Sequence, residues 1–516
     1  MKYAYRSLPL VLALLVLSAG AAGAAGESSC TLAQLTASDG FDSQAGGLSA
    51  NGRYLALTSR ADLTGGNTDH GWDLFLYDRN ADGFTQLTHL TEGYVQKPTL
   101  DADGSHAFYR SNVDPDTDAV LEFPQEVLVR LEVATGERTV VARNFADASV
   151  SGDGSRVALL AADDFTGGNG DGNEEIFLLD LASETYVQVT DTLEQDCPSF
   201  PGICPANLEP TIDADGRHVA FFSDLDPIAS GDPSAFGGVY VYDAQTGATT
   251  RVILHATLPR LAISGDGGSV AFPTIDDLTG DNPVGLTQLF VSHVGAPGFQ
   301  QVPGSGLSNP DPVAFGRQGT RLAFNAIPTV GNGRDAFLFA TTPGVLAPLM
   351  ANPGVDDFVT GMTPDGAWAA LHSKANVAGG NPDGSFEVFL AQCAAEAVPP
   401  PPPGEWLTDS DFPDFQFKVR ITAGGQEQPV RQESACIPET LCISGAVPGR
   451  SELFVRIVGP KPNGKLWPTL VRFSTSTIEV WIEQLSTSAL QYYRLEGASP
   501  GSSDLTGLFD RNGFTP

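Results

Sequence analysis

The sequence predicts an all-β chain on three observations. A turn followed by an apolar strand recurs seven times; the chain opens on a strand with no unit of its own, whereas the seventh unit lacks its last strand; and short strands resume beyond a run of prolines. Together they imply a seven-bladed β-propeller of four-stranded antiparallel blades, closed by its N-terminal strand and followed by a small β-sandwich or barrel.

The seven copies are LSANGRYLAL from Leu48, LDADGSHAFY from Leu100, VSGDGSRVAL from Val150, IDADGRHVAF from Ile212, ISGDGGSVAF from Ile263, FGRQGTRLAF from Phe315 and MTPDGAWAAL from Met362. Six intervals separate Gly52 from Gly366, a mean period of about 52 residues, which suits propeller blades. The Asp-Gly or Asn-Gly pair makes a tight turn whose positive φ glycine adopts without steric cost. Ala56, Ala158, Ala220, Ala271, Ala323 and Ala370 share one strand position, with Phe108 in the remaining copy, consistent with close approach of neighbouring sheets. A further strand follows each turn (DLFLYD, 73–78), then one ending in a Gln-Leu-Thr-like sequence (FTQLT, 84–88).

The last unit stops at EVFLAQ (387–392), and TLAQLT (31–36) supplies the missing fourth strand. That alignment puts Cys30 and Cys393 on either side of one hairpin turn, close enough for a disulfide. The other cysteines pair locally, Cys197 with Cys204 and Cys436 with Cys442, and an even count suits an exported chain. Chain entropy assigns about 6 kcal/mol to the Cys30–Cys393 loop and about 2 to 3 kcal/mol to each short one, as upper estimates.

The S-x-D-G-x-x-x-A-F core of these copies resembles the TolB-type, WD-like (PD40-like) propeller repeat over roughly residues 31–393. The resemblance implies a fold but no single activity, because the repeat occurs in transport-accessory proteins, peptidases and polysaccharide lyases. TolB itself carries an α/β domain ahead of six blades. Here seven copies begin directly after the apolar N-terminus.

Among the 516 residues, 62 acidic against 28 basic side chains give a net charge of -34, which argues against nucleic acid or an anionic membrane as partner. Lys2, Arg6, the apolar stretch from Leu8 to Ala19 and the small residues through Gly26 read as a signal peptide over 1–26. Glu27-Ser28-Ser29 ahead of Cys30 is no lipobox, and no other apolar run reaches membrane-helix length, so the expectation is a secreted or periplasmic monomer. Five prolines within 394–410 mark a spacer, and 411–516 reads as a β-sandwich-like domain. Its Trp467, Trp481, Tyr492 and Tyr493 suit either a ligand platform or cross-strand core pairs.

No catalytic constellation emerges. Gly497-Ala498-Ser499-Pro500-Gly501 matches a nucleophile elbow, but Pro500 follows the serine and the last histidine is His372, far upstream. The seven histidines form no H-E-x-x-H, and His106 and His218 share a repeat position with Tyr54, Arg156, Ser269, Arg321 and Trp368, which reads as a variable exposed site. Three matching loops carry oxygen ligands suited to calcium: Asn67, Asp69 and Asp73; Asn169, Asp171, Asn173 and Glu175; Asn381, Asp383 and Glu387. Asn and Asp also cap tight turns, and none of the loops has EF-hand spacing. The expected function is therefore a non-enzymatic binding or scaffold protein for a protein, peptide or glycan of the cell envelope. The rival is a propeller lyase or hydrolase whose polar residues converge on the central channel from several blades.

Overall fold

The structure, a computed structural model, describes residues 30–122, 124–192, 207–224, 227–228 and 237–393 (except 255, 257–258, 283–284, 297, 304–306, 329–332, 342–343 and 353). Beyond these it describes 402, 406–423, 426–433, 438–445, 447–458, 466–473, 476–486, 489–495 and 506–509. The expected signal peptide, most of the proline spacer, Cys197, Cys204, Cys436 and the Ser499 motif lie outside the described residues.

Strands are antiparallel throughout, and the described residues contain one 3-10 turn, Val377–Gly379, and no α-helix. Among the described residues no helix is long and apolar enough to cross a membrane. Seven four-stranded sheets follow one another along the chain. The first runs Ser43–Leu48, Tyr54–Ser59, Asp73–Asp78, Gly83–Gln86, and the next five repeat that plan. The seventh takes Asp357–Met362, Trp368–Ser373 and Glu387–Gln392 from the end of the repeats and Thr31–Gln34 from the start, with Thr31 opposite Gln392. Cys30 and Cys393 are disulfide-bonded across this joint, Cα to Cα 4.0 Å.

The repeat shows how one sheet meets the next. All seven turn glycines have positive φ, from +64° at Gly52 and Gly366 to +77° at Gly104. The residue opening the second strand of one sheet covers the turn glycine of its neighbour: Tyr54 on Gly104, Arg156 on Gly216, His218 on Gly267, Ser269 on Gly319, Arg321 on Gly366 and, closing the cycle, Trp368 on Gly52. Gly154 is covered instead by Asp101 and Phe108. The position expected to be variable and exposed is thus a half-buried wedge between sheets, and it varies because each wedge fits a different neighbour. Arg156 and Arg321 each also donate to the carbonyl of the glycine they cover, at 3.1 and 3.0 Å. The repeated alanines, from Ala56 to Ala370, are fully buried where adjacent sheets share apolar clusters.

Two further five-stranded sheets follow the ring. One is centred on Phe415–Ala423 and Thr477–Gln484, the other on Leu441–Ser444, Ser451–Val458 and Trp467–Arg472. Phe417, Ile421, Val480 and Ile482 of the first share one buried core with Leu441, Leu453, Val455 and Leu470 of the second. Trp481 is fully buried, with Arg420 5.3 Å from its ring, so it serves packing; the side chains of Trp467, Tyr492 and Tyr493 lie outside the described residues. Cys442 is disulfide-bonded.

Candidate functional site: the inner strands

The first strands of successive sheets pack beside one another: Ser43–Leu48 between Val95–Leu100 and Asp357–Met362, and Asn207–Ile212 beside Asp147–Val150; they are called the inner strands below. The join between the second and third sheets carries an ion pair from Arg110 to Asp147, with Lys97 3.7 Å from the same carboxylate.

Five of the first strands shift register against the second strand at matching places, and in three of them the shift carries a left-handed residue that is not glycine. Lys97, Glu209 and Asn309 have φ of +48°, +51° and +50°, each directly precedes a proline, and each sits in a register shift against the second strand. A β-bulge re-aims the side chain it carries, and a left-handed non-glycine residue costs on the order of 1–3 kcal/mol, so such strain clusters where function over-determines it. The left-handed residues lie in the second, fourth and sixth sheets, while the first and seventh shift register at the same place without one.

Charges from four other sheets act on Glu209: Lys97, Asp147, Arg260 and Asp311. Glu209 itself is exposed to solvent. Burial pushes its carboxyl above the usual carboxylate range, Asp147 and Asp311 add to this, and Lys97 and Arg260 oppose it. Asp311 is raised by burial as well, against the pull of Arg260 and Arg334, whose Nη1 atoms lie 3.2 and 3.7 Å from it. Both Nη1 atoms are buried and make no well-aligned hydrogen bond. A pocket of about 180 Å³ opens between the second and third sheets, lined by Lys97, Phe108, Arg110 and Ser149 among others.

Sequence reasoning missed this group because its members sit on five separate repeats. One signal was present: QKPTLDADG and LEPTIDADG extend the repeat upstream of the turn and carry Lys97 and Glu209 at one position.

The calcium-candidate residues have other local duties. Asp62, Asp164 and Asp277 each accept backbone N–H groups at the third and fifth residues on, and the fifth is an asparagine: Asn67, Asn169 or Asn282. Each asparagine then donates its amide across the loop, Asn67 to the carbonyls of Ala61 and Gly71, Asn169 to those of Ala162 and Asn173. Asn376 caps Asn381 likewise, so the underlying motif is Asp/Asn-x-x-Gly-x-Asn, which the sequence reading had not separated from a ligand pattern. The Gln-Leu-Thr signature answers this loop. Gln86 and Gln188 pack on Gly66 and Gly168, while Thr88 donates to Asp73 at 2.6 Å.

Asp73, Glu175 and Glu387 are buried and fully engaged, and Asp69, Asp171 and Asp383 lie at the exposed loop tips. Ser385 Oγ stands within hydrogen-bond reach of Asn381, Asp383 and Glu387, whereas Asn67 and Asp73 share no partner. Among the described residues no group of three or more His, Cys, Asp or Glu gathers as a metal site. His106 and His218 form hydrogen-bonded pairs with Asp101 and Asp213, at 2.7 and 2.6 Å.

No family model matches the chain, and no curated protein matches it. In solved structures it is similar to TolB-type propellers. TolB from Acinetobacter baumannii is 17% identical, with 55% of this chain and 60% of that one covered and a TM-score of 0.36. An oligogalacturonate lyase in complex with manganese is 14% identical, with 71% and 94% covered and a TM-score of 0.46. The β-propeller domain of the Trilobed protease from Pyrococcus furiosus is 10% identical, with 70% and 96% covered and a TM-score of 0.39.

Proposed function

We propose that the chain is an exported binding or scaffold protein that holds a protein, peptide or glycan of the cell envelope in the central channel of a closed seven-bladed propeller. In this reading residues 1–26 direct export to the periplasm or cell exterior, 30–393 form the propeller, 394–410 space it from a β-sandwich-like domain at 411–516, and the chain acts as a monomer. The observation that carries it is that charged groups from four other sheets act on Glu209, beside bulges that aim Lys97, Glu209 and Asn309 away from the regular ladder. Polar groups set among apolar walls fix a ligand's orientation, and the unaligned Nη1 atoms of Arg260 and Arg334 are donors with capacity to spare.

The test is capture from the native envelope fraction, followed by binding of the identified ligand to the mature chain. Glu209→Ala and Lys97→Ala are expected to weaken binding by about tenfold or more each, with melting temperature unchanged or higher. Equal affinity in both variants sinks the channel reading. A lyase or hydrolase is the second reading, favoured by two carboxyls biased toward protonation beside guanidinium groups, an arrangement suited to general acid catalysis. Under it Glu209→Gln keeps ligand binding and loses product formation.

A further inference from the structure

The joint between the second and third sheets is unlike the others. Elsewhere the first strands of neighbouring sheets pack side by side, whereas Val95–Leu100 and Asp147–Val150 barely touch along their backbones. All four residues of Asp147–Val150 are half-exposed, and every other first strand has at least one buried residue. The sequence accounts for the gap. Six copies of the repeat place an alanine where adjoining sheets meet, and the second copy has Phe108 there. Its ring, on a residue 1% exposed, reaches Gly154 of the next turn and holds the two backbones apart. Leu128 fills part of the space, against Val157, Leu159 and Phe177. The remainder is the pocket of about 180 Å³.

The lining is chemically one-sided. Phe108, Leu128, Ala148 and Val150 are apolar, Thr99 and Ser149 carry hydroxyls, and Lys97 and Arg110 carry charge; among the described residues no acidic side chain lines it. In a chain with 62 acidic side chains against 28 basic, this is a local reversal of charge. Asp147 offsets one of the two cations from outside the lining. Arg110, its side chain 8% exposed, donates through Nη2 to Asp147 and, at 3.3 Å, to the Ala148 carbonyl, which leaves the other N–H groups of the guanidinium for a ligand. Lys97 Nζ, 3.7 Å from the same carboxylate on a side chain 65% exposed, is the surplus charge.

We propose that this pocket binds the C-terminal residue of a peptide, with its carboxylate between Lys97 and Arg110 and an apolar side chain against Phe108, Leu128 and Val150. The proposal rests on the binding reading of the chain and narrows its ligand to a peptide with a free apolar end. Sites for whole drug-sized ligands run to about 300–1,000 Å³, so this one takes a single residue. A carboxylate drawn out of water requires a cation and N–H donors, which Lys97 and Arg110 supply. Walls made by Phe108, Leu128 and Val150 would leave ring hydroxyls of an acidic sugar without partners, which favours the peptide end.

The experiment titrates the mature chain with N-acetyl-L-leucine by ligand-detected NMR, with N-acetyl-L-leucinamide, acetate and D-glucuronate as comparisons. Expected are a dissociation constant of about 1 mM, the affinity a probe of this size can reach, and binding at least about tenfold weaker for each comparison. Added salt should weaken it further. Lys97→Gln is expected to weaken N-acetyl-L-leucine by about fivefold or more, and Ser149→Leu, which fills the pocket, to abolish its binding. Lys97 is exposed, so its variant reports even where the packed one fails to fold. Glu209→Ala tests the channel reading from outside the lining and should leave this probe within about twofold. An envelope ligand that Glu209→Ala releases, with N-acetyl-L-leucine never bound, would keep the channel and sink the pocket. Amide, acetate or sugar binding as well as N-acetyl-L-leucine, or an affinity untouched by Lys97→Gln, overturns the proposal.

Discussion

The turn end of the ring and its inner strands solve opposite problems with the same repeat. At the turns glycines hold the positive φ, neighbouring side chains cover them, and serine, threonine or aspartate closes six of the seven, Gly316 standing at that place in the sixth, as when Ser49 accepts the Tyr54 N–H and Asp213 that of His218, both at 3.0 Å. On the inner strands positive φ falls on Lys97, Glu209 and Asn309, guanidinium nitrogens lack aligned partners, and two carboxyls are biased toward protonation. Strain that selection could have relieved with glycine has been kept on side chains that carry charge or polarity. The turn end therefore carries stability, and under the proposed function the first strands keep strain where a ligand would be held.

The largest effect should come from the clasp. Replacing Cys30 and Cys393 together by serine frees a loop spanning a sequence separation of 363, worth up to about 6 kcal/mol, and is expected to lower the melting temperature by about 10 °C. If melting is unchanged, the Thr31–Gln34 ladder alone closes the ring and the clasp is redundant. Next comes Gly267→Ala. Its Cβ would lie 2.0 Å from His218 Nδ1 at a φ of +71°, so a loss of about 2–3 kcal/mol by denaturant unfolding is expected. Adding His218→Ala should recover the collision part and leave the backbone part, separating the wedge from the turn.

Much of this architecture was legible in the sequence because its signals are local and repeated. Seven glycine turns, six alanines and a strand displaced to the N-terminus each report on a neighbour within one unit or on the chain's own ends. The central group was not legible, because Lys97 meets Asp147, and Arg260 meets Asp311, from separate repeats, the charges of all four act on Glu209 only in the folded chain, and none stands out within its own repeat. The His106 and His218 position misled for a related reason. Variation among copies looked like exposure, whereas each wedge is matched to a different sheet.

A pH measurement probes the loop end of the seventh sheet. His372 lies between Phe358 and Phe386, ring centroids 5.2 Å from each, and burial lowers its pKa to about 4, opposed by Asp42. A group whose folded pKa lies below its unfolded value of about 6.5 loses its stabilising contribution as pH falls through that interval, while above it the contribution is complete. Stability should therefore decline between about pH 6.5 and 4 by up to about 3 kcal/mol, and His372→Phe should flatten that part of the curve. A curve that keeps its slope in the variant assigns the decline to other groups.

The smallest effect is the most direct challenge to the comparison, because its sign is unusual. Glu209→Gly removes the left-handed strain at φ +51° while adding unfolded-chain entropy, and the balance should stabilise the fold by about 0.5–1 kcal/mol in denaturant melts. Lys97→Gly should behave alike, and Asn309→Gly should gain less, since asparagine tolerates this region better than other side chains. All three should weaken ligand binding even as they raise stability, a trade opposite in sign to that of any turn glycine. Were Glu209→Gly to destabilise the chain, the bulge would be held by its side chain's contacts, and the inner strands would differ from the turns in charge alone.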